Sequence, residues 1–340
     1  MVTVWLAILF FSCTQKKEDR KIDRSFYYWK SVFKLTDFEK QQLDLLKVKT
    51  VYIKFFDVDW STANNAPMPV AKLQTKNNSY NNSFLFVPTI FITNECIRKS
   101  DSQQVQKLAL DINKLIQDII QSNGFNSIGE IQFDCDWTAA TKERYFQFLS
   151  VIKKLWANSS IPISATIRLH QIKFISKTGV PPVDKGLLMC YNMGNLKNPA
   201  INNSIIETQE LKKYIANLSS YPLPLDVGLP LFDWKVLFRN NIYTGLIENL
   251  PDTVLNNSFA LKKDNRIEIQ KDTLLAGYDL KKSDMIRNEQ SEFLEILAAA
   301  KELNKQLKNT QPRIVLYHLD SVILRKYSLH ELETIYNSMR

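Results

Sequence analysis

Eight short apolar runs, separated by helical stretches, constrain the fold of this chain more than any other feature. They span 26–33, 50–59, 84–93, 131–137, 161–169, 186–193, 225–232 and 313–319. Phe, Val, Ile and Tyr dominate them, the residues that suit a pleated, buried surface. Between them lie helical patterns. Thr36 and Glu39 have the spacing of a capping box. The stretch 101–123 carries Leu108, Ile112, Leu115 and Ile119 at helical spacing, with Gly124 as its stop. Tyr145, Leu149 and Ile152 mark a helix over 141–156, and further helices are predicted over 208–218, 290–307 and 329–339. Strand-then-helix order implies a parallel α/β architecture, and eight such units favour a closed (β/α)8 TIM barrel. A doubly wound open sheet is the competing arrangement. A length of 340 residues suits one barrel with an addition. The stretch 235–289 is too long for a bare loop, and Arg266-Ile267-Glu268-Ile269-Gln270 alternates like a strand. It is expected to be a small subdomain inserted between strands seven and eight.

Composition narrows function by exclusion. The chain holds 45% hydrophobic and 23% charged residues, with a net charge of +9. Its Lys and Arg residues are dispersed, as in Lys153-Lys154 and Lys212-Lys213, and no nucleic-acid motif accompanies them. The charge is therefore read as a solvated surface, open to acidic glycans or surfaces, with no nucleic acid as partner. Eight glycines and the lack of a Gly-rich phosphate loop argue against nucleotide cofactors. The three histidines, His170, His318 and His330, fall in no metal-ligand spacing. No metal and no cofactor are expected. Cys96, Cys135 and Cys190 are an odd set without a disulfide framework. Cys135 and Cys190 read as buried fillers.

The fourth run carries the chemistry. It reads Gly129-Glu130-Ile131-Gln132-Phe133-Asp134-Cys135-Asp136-Trp137-Thr138. Side chains alternate along a strand, so Gln132, Asp134, Asp136 and Thr138 share one face, and Ile131, Phe133, Cys135 and Trp137 the other. Two carboxylates side by side at a strand end are costly to keep ionised, and such pairs cluster at functional or ion-paired sites. On the fifth run Ser164, Thr166, Arg168 and His170 share a face. Arg168 is expected to point into the barrel and pair with Asp134 or Asp136, which leaves a purely structural role open for the two acids. Barrel sites gather at the C-terminal strand ends. The further candidates there are Trp29, Asp57, Asp59, Trp60, Glu95, Tyr191, Asn192, Asp233, Trp234, His318 and Asp320. Carboxylates for hydroxyls and flat rings for sugar faces are what a glycan site needs. Trp60, Trp137 and Trp234 read equally well as packing, and Asp59 and Asp320 as caps.

The segment Asp134-x-Asp136-Trp137-Thr138 resembles the fourth-strand pattern Asp-x-x-Asp-x-Asp-x-Glu of the family 18 glycoside hydrolases, the chitinase-like barrels. Met189-Cys190-Tyr191-Asn192 is similar to that family's sixth-strand motif. Val227-Gly228-Leu229-Pro230-Leu231-Phe232 is similar to its seventh-strand Gly-Leu-Pro followed by an aromatic. The resemblance runs from Phe26 to Trp234 and includes the last strand. It implies a glycan partner, with Trp29, Trp137, Arg168, Met189, Tyr191, Asn192 and Phe232 as substrate-binding residues. It also implies substrate-assisted hydrolysis, in which a Glu protonates the glycosidic oxygen and Asp136 orients the acetamido group. Thr138 stands where the family places that Glu, and a hydroxyl is too weak an acid for the task. Hydrolysis would need another acid, from Asp57, Glu95, Asp233 or Asp320. Glu130 lies at the wrong end of its strand. The alternative is a carbohydrate-binding or structural protein.

At the N-terminus an apolar run ends in Leu9-Phe10-Phe11-Ser12-Cys13. It is too short to span a bilayer and is similar to a bacterial lipoprotein signal. Cys13 is then the lipidated residue, and residues up to 24 form a tether to a 25–340 barrel. An ordinary cleaved signal peptide or a buried N-terminal segment is the other reading. The lipoprotein reading places the protein in the bacterial cell envelope, anchored to a membrane through Cys13. The Asn-rich stretch 77–82 reads as a surface loop.

Overall fold

The computed structural model describes residues 20–75, 84–247, 250, 252–255 and 259–340. Cys13 and the Asn-rich stretch lie outside the described residues. Eight parallel strands form the barrel: β1 (Asp23–Tyr28), β2 (Thr50–Ser61), β3 (Leu85–Ile92), β4 (Ile131–Asp134), β5 (Ile163–Arg168), β6 (Lys185–Met189), β7 (Leu225–Pro230) and β8 (Arg313–Tyr317). β1 pairs with β8 through Asp23↔Arg313 and with β2 through Ser25↔Thr50. That double pairing closes the barrel and rules out the open sheet. The first strand starts at Asp23, two residues before the expected domain boundary, and stops at Tyr28. Val32-Phe33 is a separate short strand paired with Gln74-Thr75.

Helices cover the outside. The capping box forms as read: the Thr36 hydroxyl accepts from the Glu39 amide, and the Glu39 carboxylate accepts from the Thr36 amide at 2.8 Å. The helix Ser102–Asn123 buries Val105, Leu108, Ala109, Ile112, Ile116 and Ile119 and ends on Gly124 at φ 65°. Ile116, one position past the expected Leu115, takes the fully buried place. The stripe follows the 3.6-residue turn, and a glycine is the residue that enters the left-handed region without a Cβ clash.

The barrel interior is layered by strand alternation. Lys185, Glu130, Asp226 and Arg313 fill the N-terminal floor. Arg313 donates to Glu130 at 2.8 Å, to Asp23 at 2.8 Å and to the Tyr52 hydroxyl at 2.9 Å. Lys185 pairs with Glu130 at 3.1 Å and also with Asp226. Above them Tyr27 donates to Gln132, and Ser164 donates to Glu130. Glu130 and Asp226 are sealed in this floor, while Asp23 at its rim reaches solvent.

The insertion spans Asp233 to Gln290 and builds a five-stranded antiparallel sheet. It has its own small core of Leu237, Ile247, Leu250, Leu255, Ile267, Ile269, Leu280 and Ile286. Glu289 fastens it to the chain after β6. One of its oxygens accepts from the Ser204 amide and hydroxyl, both at 2.6 Å, and from the Trp234 indole at 2.8 Å. Its other oxygen takes Arg287 at 2.6 Å, and both side chains are fully buried. Arg287 also reaches the carbonyls of Asn198 and Leu196. The insertion is thereby fixed as a wall beside one edge of the barrel mouth.

Candidate active site

The C-terminal mouth is built around Tyr317, the last residue of β8. Its ring lies 5.5 Å from Tyr27, 5.8 Å from Trp29, 5.4 Å from Tyr191 and 5.7 Å from Phe232. Trp29, Phe232 and Tyr317 are half-buried, so part of this aromatic floor meets solvent. Tyr191 is 5% exposed, and its hydroxyl has no protein partner among the described residues. Gly228 lies beside it. A Cβ there would stand 3.1 Å from the Leu187 side chain and 3.5 Å from the Tyr191 ring. The tight contact is thus with Leu187, while the Tyr191 ring would be met at ordinary van der Waals distance. After Tyr191 the chain turns at Asn192, whose φ is 55°, a conformation asparagine tolerates better than most residues. Its amide donates to the Ile205 carbonyl at 2.8 Å, and the residue is exposed.

Two carboxylates meet this floor from β4. Asp134, 3% exposed, accepts from the Thr166 hydroxyl at 2.6 Å. Burial pushes its pKa up to about 6; Asp136 and Asp57 add to the rise, while Arg168 and the Thr166 hydrogen bond oppose it. Asp136 lies past the end of the strand with its side chain half exposed. Arg168 grips it with both arms of the guanidinium, at 2.5 Å and 3.2 Å. The pairing expected from strand alternation is present, and it selects Asp136 over Asp134. Such a fork-to-fork contact fixes the carboxylate's plane as well as its charge.

A third carboxylate comes from β2. A bulge between Lys54 and Phe56 inserts an extra residue into the strand. Alternation then slips by one, and Lys54 and Asp57 come to the same side. They form an ion pair of 2.9 Å. Lys54 also lies 5.7 Å from the Trp29 ring centre. Asp57 influences the ionisation of both Asp134 and Tyr317, which marks it as part of the mouth.

The other candidate acids are held elsewhere. Glu95 is on the outer helix Asn94–Lys99, 54% exposed and paired with Lys99 at 2.7 Å. Asp233 opens the insertion sheet and pairs with Lys326 at 2.7 Å. Asp320 caps the helix Ser321–Leu324 and binds Lys30 at 2.7 Å. Asp59 accepts from the Thr93 hydroxyl and from the Trp60 amide. None of these is a free carboxylic acid in the mouth.

Trp137 requires a correction as a substrate-binding residue. It is fully buried behind β4, stacks on Tyr145 at 5.3 Å and donates its indole N–H to the Thr178 carbonyl at 2.9 Å. It faces away from Asp134 and Asp136, as the strand's alternation requires. Met189 is 3% exposed, inside the barrel just below Tyr191. Trp60 stays at the edge of β2 with Lys99 5.8 Å from its ring. Trp234 is taken up by Glu289. His318 is half-buried, and its charged neighbours are Asp320, Lys30 and Glu39 rather than the Asp134–Asp136 pair. Tyr317, Lys54 and Tyr27 are the residues that the sequence reading left out. Tyr317 stands one position before His318, on the opposite face of the same strand end.

Thr138 is exposed, and its amide donates to the Thr141 hydroxyl at 2.9 Å. Thr141 in turn donates to Asn94 at 2.7 Å. The place following Asp136 by two residues thus holds a hydroxyl among hydroxyls and an amide. Among the described residues no group of three or more His, Cys, Asp and Glu is arranged to hold a metal ion. Cys96, Cys135 and Cys190 are free and buried.

No family model matches the sequence, and no curated protein matches it. Solved structures do. The spore cortex-lytic enzyme SleL of Bacillus megaterium has 13% identity and a TM-score of 0.58, covering 95% of this chain and 75% of that one. A chitinase from the chitin utilization locus of Flavobacterium johnsoniae has 11% identity and a TM-score of 0.55, covering 94% of each chain. A Cycas revoluta chitinase in complex with (GlcNAc)4 has 12% identity and a TM-score of 0.55, covering 93% of this chain and 99% of that one.

The fold is that of the family 18 chitinases.

Within the family 18 fold, the three segments singled out in the sequence come together around one mouth. Asp134 and Asp136 end β4, Tyr191 follows β6, and Gly228 and Phe232 belong to β7 and its exit.

Proposed function

We propose that this protein binds an N-acetylated glycan at the barrel mouth and does not hydrolyse it. The observation that carries this reading is the Arg168–Asp136 grip beside Thr138. In substrate-assisted hydrolysis a carboxylate must move against the acetamido group while a neighbouring acid gives a proton to the leaving oxygen. Here the carboxylate is committed to a guanidinium, and a hydroxyl takes the acid's place. Asp57 is in the mouth, but one of its oxygens is already taken by Lys54 at 2.9 Å. The buried Tyr191 hydroxyl, the exposed Asn192 and the Tyr317 floor remain suited to hold a sugar. The relatives of this fold include a chitinase seen with (GlcNAc)4 and a cortex-lytic enzyme, which points to chitin-like or peptidoglycan-like strands as the ligand class. Display on the bacterial envelope through a lipidated Cys13 fits such a ligand and belongs to the same proposal.

The test combines calorimetry and mass spectrometry on a panel of N-acetylglucosamine oligomers and peptidoglycan fragments. Saturable binding with no shortened products is the expected result. Products that vanish in Asp136→Asn would overturn the non-catalytic reading, and no binding to any glycan would overturn the glycan reading. Thr138→Glu alone is expected to stay inactive because Arg168 still holds Asp136. Thr138→Glu combined with Arg168→Gln is the variant in which slow hydrolysis would emerge.

A further inference from the structure

We infer that Trp29, Lys54 and Asp57 form a second sugar subsite next to the Tyr317 floor, with Asp57 accepting a hydrogen bond from a ligand hydroxyl or amide N–H. The inference rests on the glycan reading above and adds to it a specificity residue on β2 that none of the three sequence segments contains.

Three observations carry it. The first is an unmet acceptor. Asp57 pairs with Lys54 at 2.9 Å through Oδ2, while its Oδ1 is buried without a partner among the described residues. A buried carboxylate oxygen left unpaired is costly, so this atom gains from any ligand donor that reaches it. The second is local construction. The β2 bulge turns both Lys54 and Asp57 to one side, and bulges of this kind re-aim side chains beside sites. Lys54 is only 10% exposed at its side chain, so the pair is a fixed element of the mouth rather than a mobile surface contact. The third is spacing. The half-buried Trp29 lies 5.8 Å from Tyr317, ring centre to ring centre, and Lys54 is 5.7 Å from the Trp29 ring. Two neighbouring aromatic rings at that distance can support two consecutive sugar rings, which favour contact with flat apolar surfaces. Because Lys54 neutralises Asp57, the subsite suits an uncharged donor. A hydroxyl or an N-acetyl N–H fits this chemistry, and the experiment separates the two.

The experiment is calorimetry of the full chain with the dimer and the tetramer of N-acetylglucosamine and with the glucose tetramer of the same linkage. The wild type is expected to prefer the tetramer to the dimer. Asp57→Ala and Trp29→Ala are each expected to weaken binding of both the dimer and the tetramer about tenfold, the equivalent of one charge-assisted hydrogen bond. Loss of the acetamido tetramer alone in Asp57→Ala assigns the donor to the amide; equal loss for both tetramers assigns it to a hydroxyl. Should either alanine variant fold poorly, Trp29→Phe supplies a second readout: the wild-type tryptophan fluorescence shift on tetramer binding is expected to shrink in it. Tetramer binding unchanged in both alanine variants overturns the subsite while leaving the glycan reading intact. A fluorescence shift of full size in Trp29→Phe also overturns it. A wild type that binds none of these sugars overturns the glycan reading itself.

Discussion

The two ends of the barrel hold the same kinds of side chain in opposite states. At the floor, Glu130 and Asp226 are 1% exposed and sit among Lys185, Arg313 and Asp23. At the mouth, Asp134, Asp136 and Asp57 face Arg168 and Lys54, but Asp136 is half exposed and aromatic edges reach solvent. Residue type does not distinguish the ends. Access does. A charge network whose carboxylates are sealed in holds the barrel together, because separating buried partners strands a charge in a poor dielectric. One with an open side can exchange a protein partner for a ligand.

The largest effect that would test this contrast is on stability. Glu130→Gln leaves Lys185 and Arg313 short of a buried partner. It is expected to cost about 3–5 kcal/mol in denaturant unfolding and, in the protein that still folds, to leave glycan affinity unchanged. A mild loss with altered binding would mean that the floor is open to ligands after all. Next comes the pH dependence set by Asp134. Its folded pKa of about 6 lies above the ordinary aspartate value of 3.8, so between those values the folded state holds more proton than the unfolded one. Stability contributed by this group is therefore present at low pH and lost as pH rises through about 6. Relative to Asp134→Asn, the wild type is expected to lose roughly 2–3 kcal/mol between pH 4 and pH 7. Parallel stability curves for the two proteins would sink the assignment.

Smaller still is Trp137→Phe, expected to cost about 1–3 kcal/mol because the Thr178 carbonyl is left unpaired in the core. Its glycan affinity should match the wild type, and a change of binding without loss of stability would return Trp137 to the mouth. Asp136→Asn should be mildest in stability, about 1 kcal/mol, since the Asp136 side chain is half in solvent even though Arg168 is largely buried. Under the proposed function its effect falls on glycan affinity, measured by calorimetry.

Much of the fold was legible in the chain. Alternation and helical spacing located each barrel strand to within a few residues, because burial on both faces imposes apolar runs that few other arrangements produce. The same alternation placed Arg168 and the β4 carboxylates on one side of the barrel wall and Trp137 on the other. The site was less legible. Asp134 and Asp136 look equivalent two residues apart, yet β4 ends at Asp134, and one acid is sealed in while the other emerges.

What the sequence alone determined is the order of eight strand–helix units, the long stretch before the last strand, the three motif segments and the absence of an acid at Thr138. Those are properties of order, spacing and residue type. Barrel closure came from the β1 pairings with β8 and β2. Only the tertiary structure decided that Tyr317 is the centre of the floor, that Arg168 takes Asp136 rather than Asp134, that Asp57 belongs to the mouth while Glu95, Asp233 and Asp320 do not, and that Lys54 stands beside Asp57. Each depends on a bulge, a strand end or a cap that shifts a side chain by one position. Contacts between strands far apart in sequence, rather than any local pattern, fix which face that position meets.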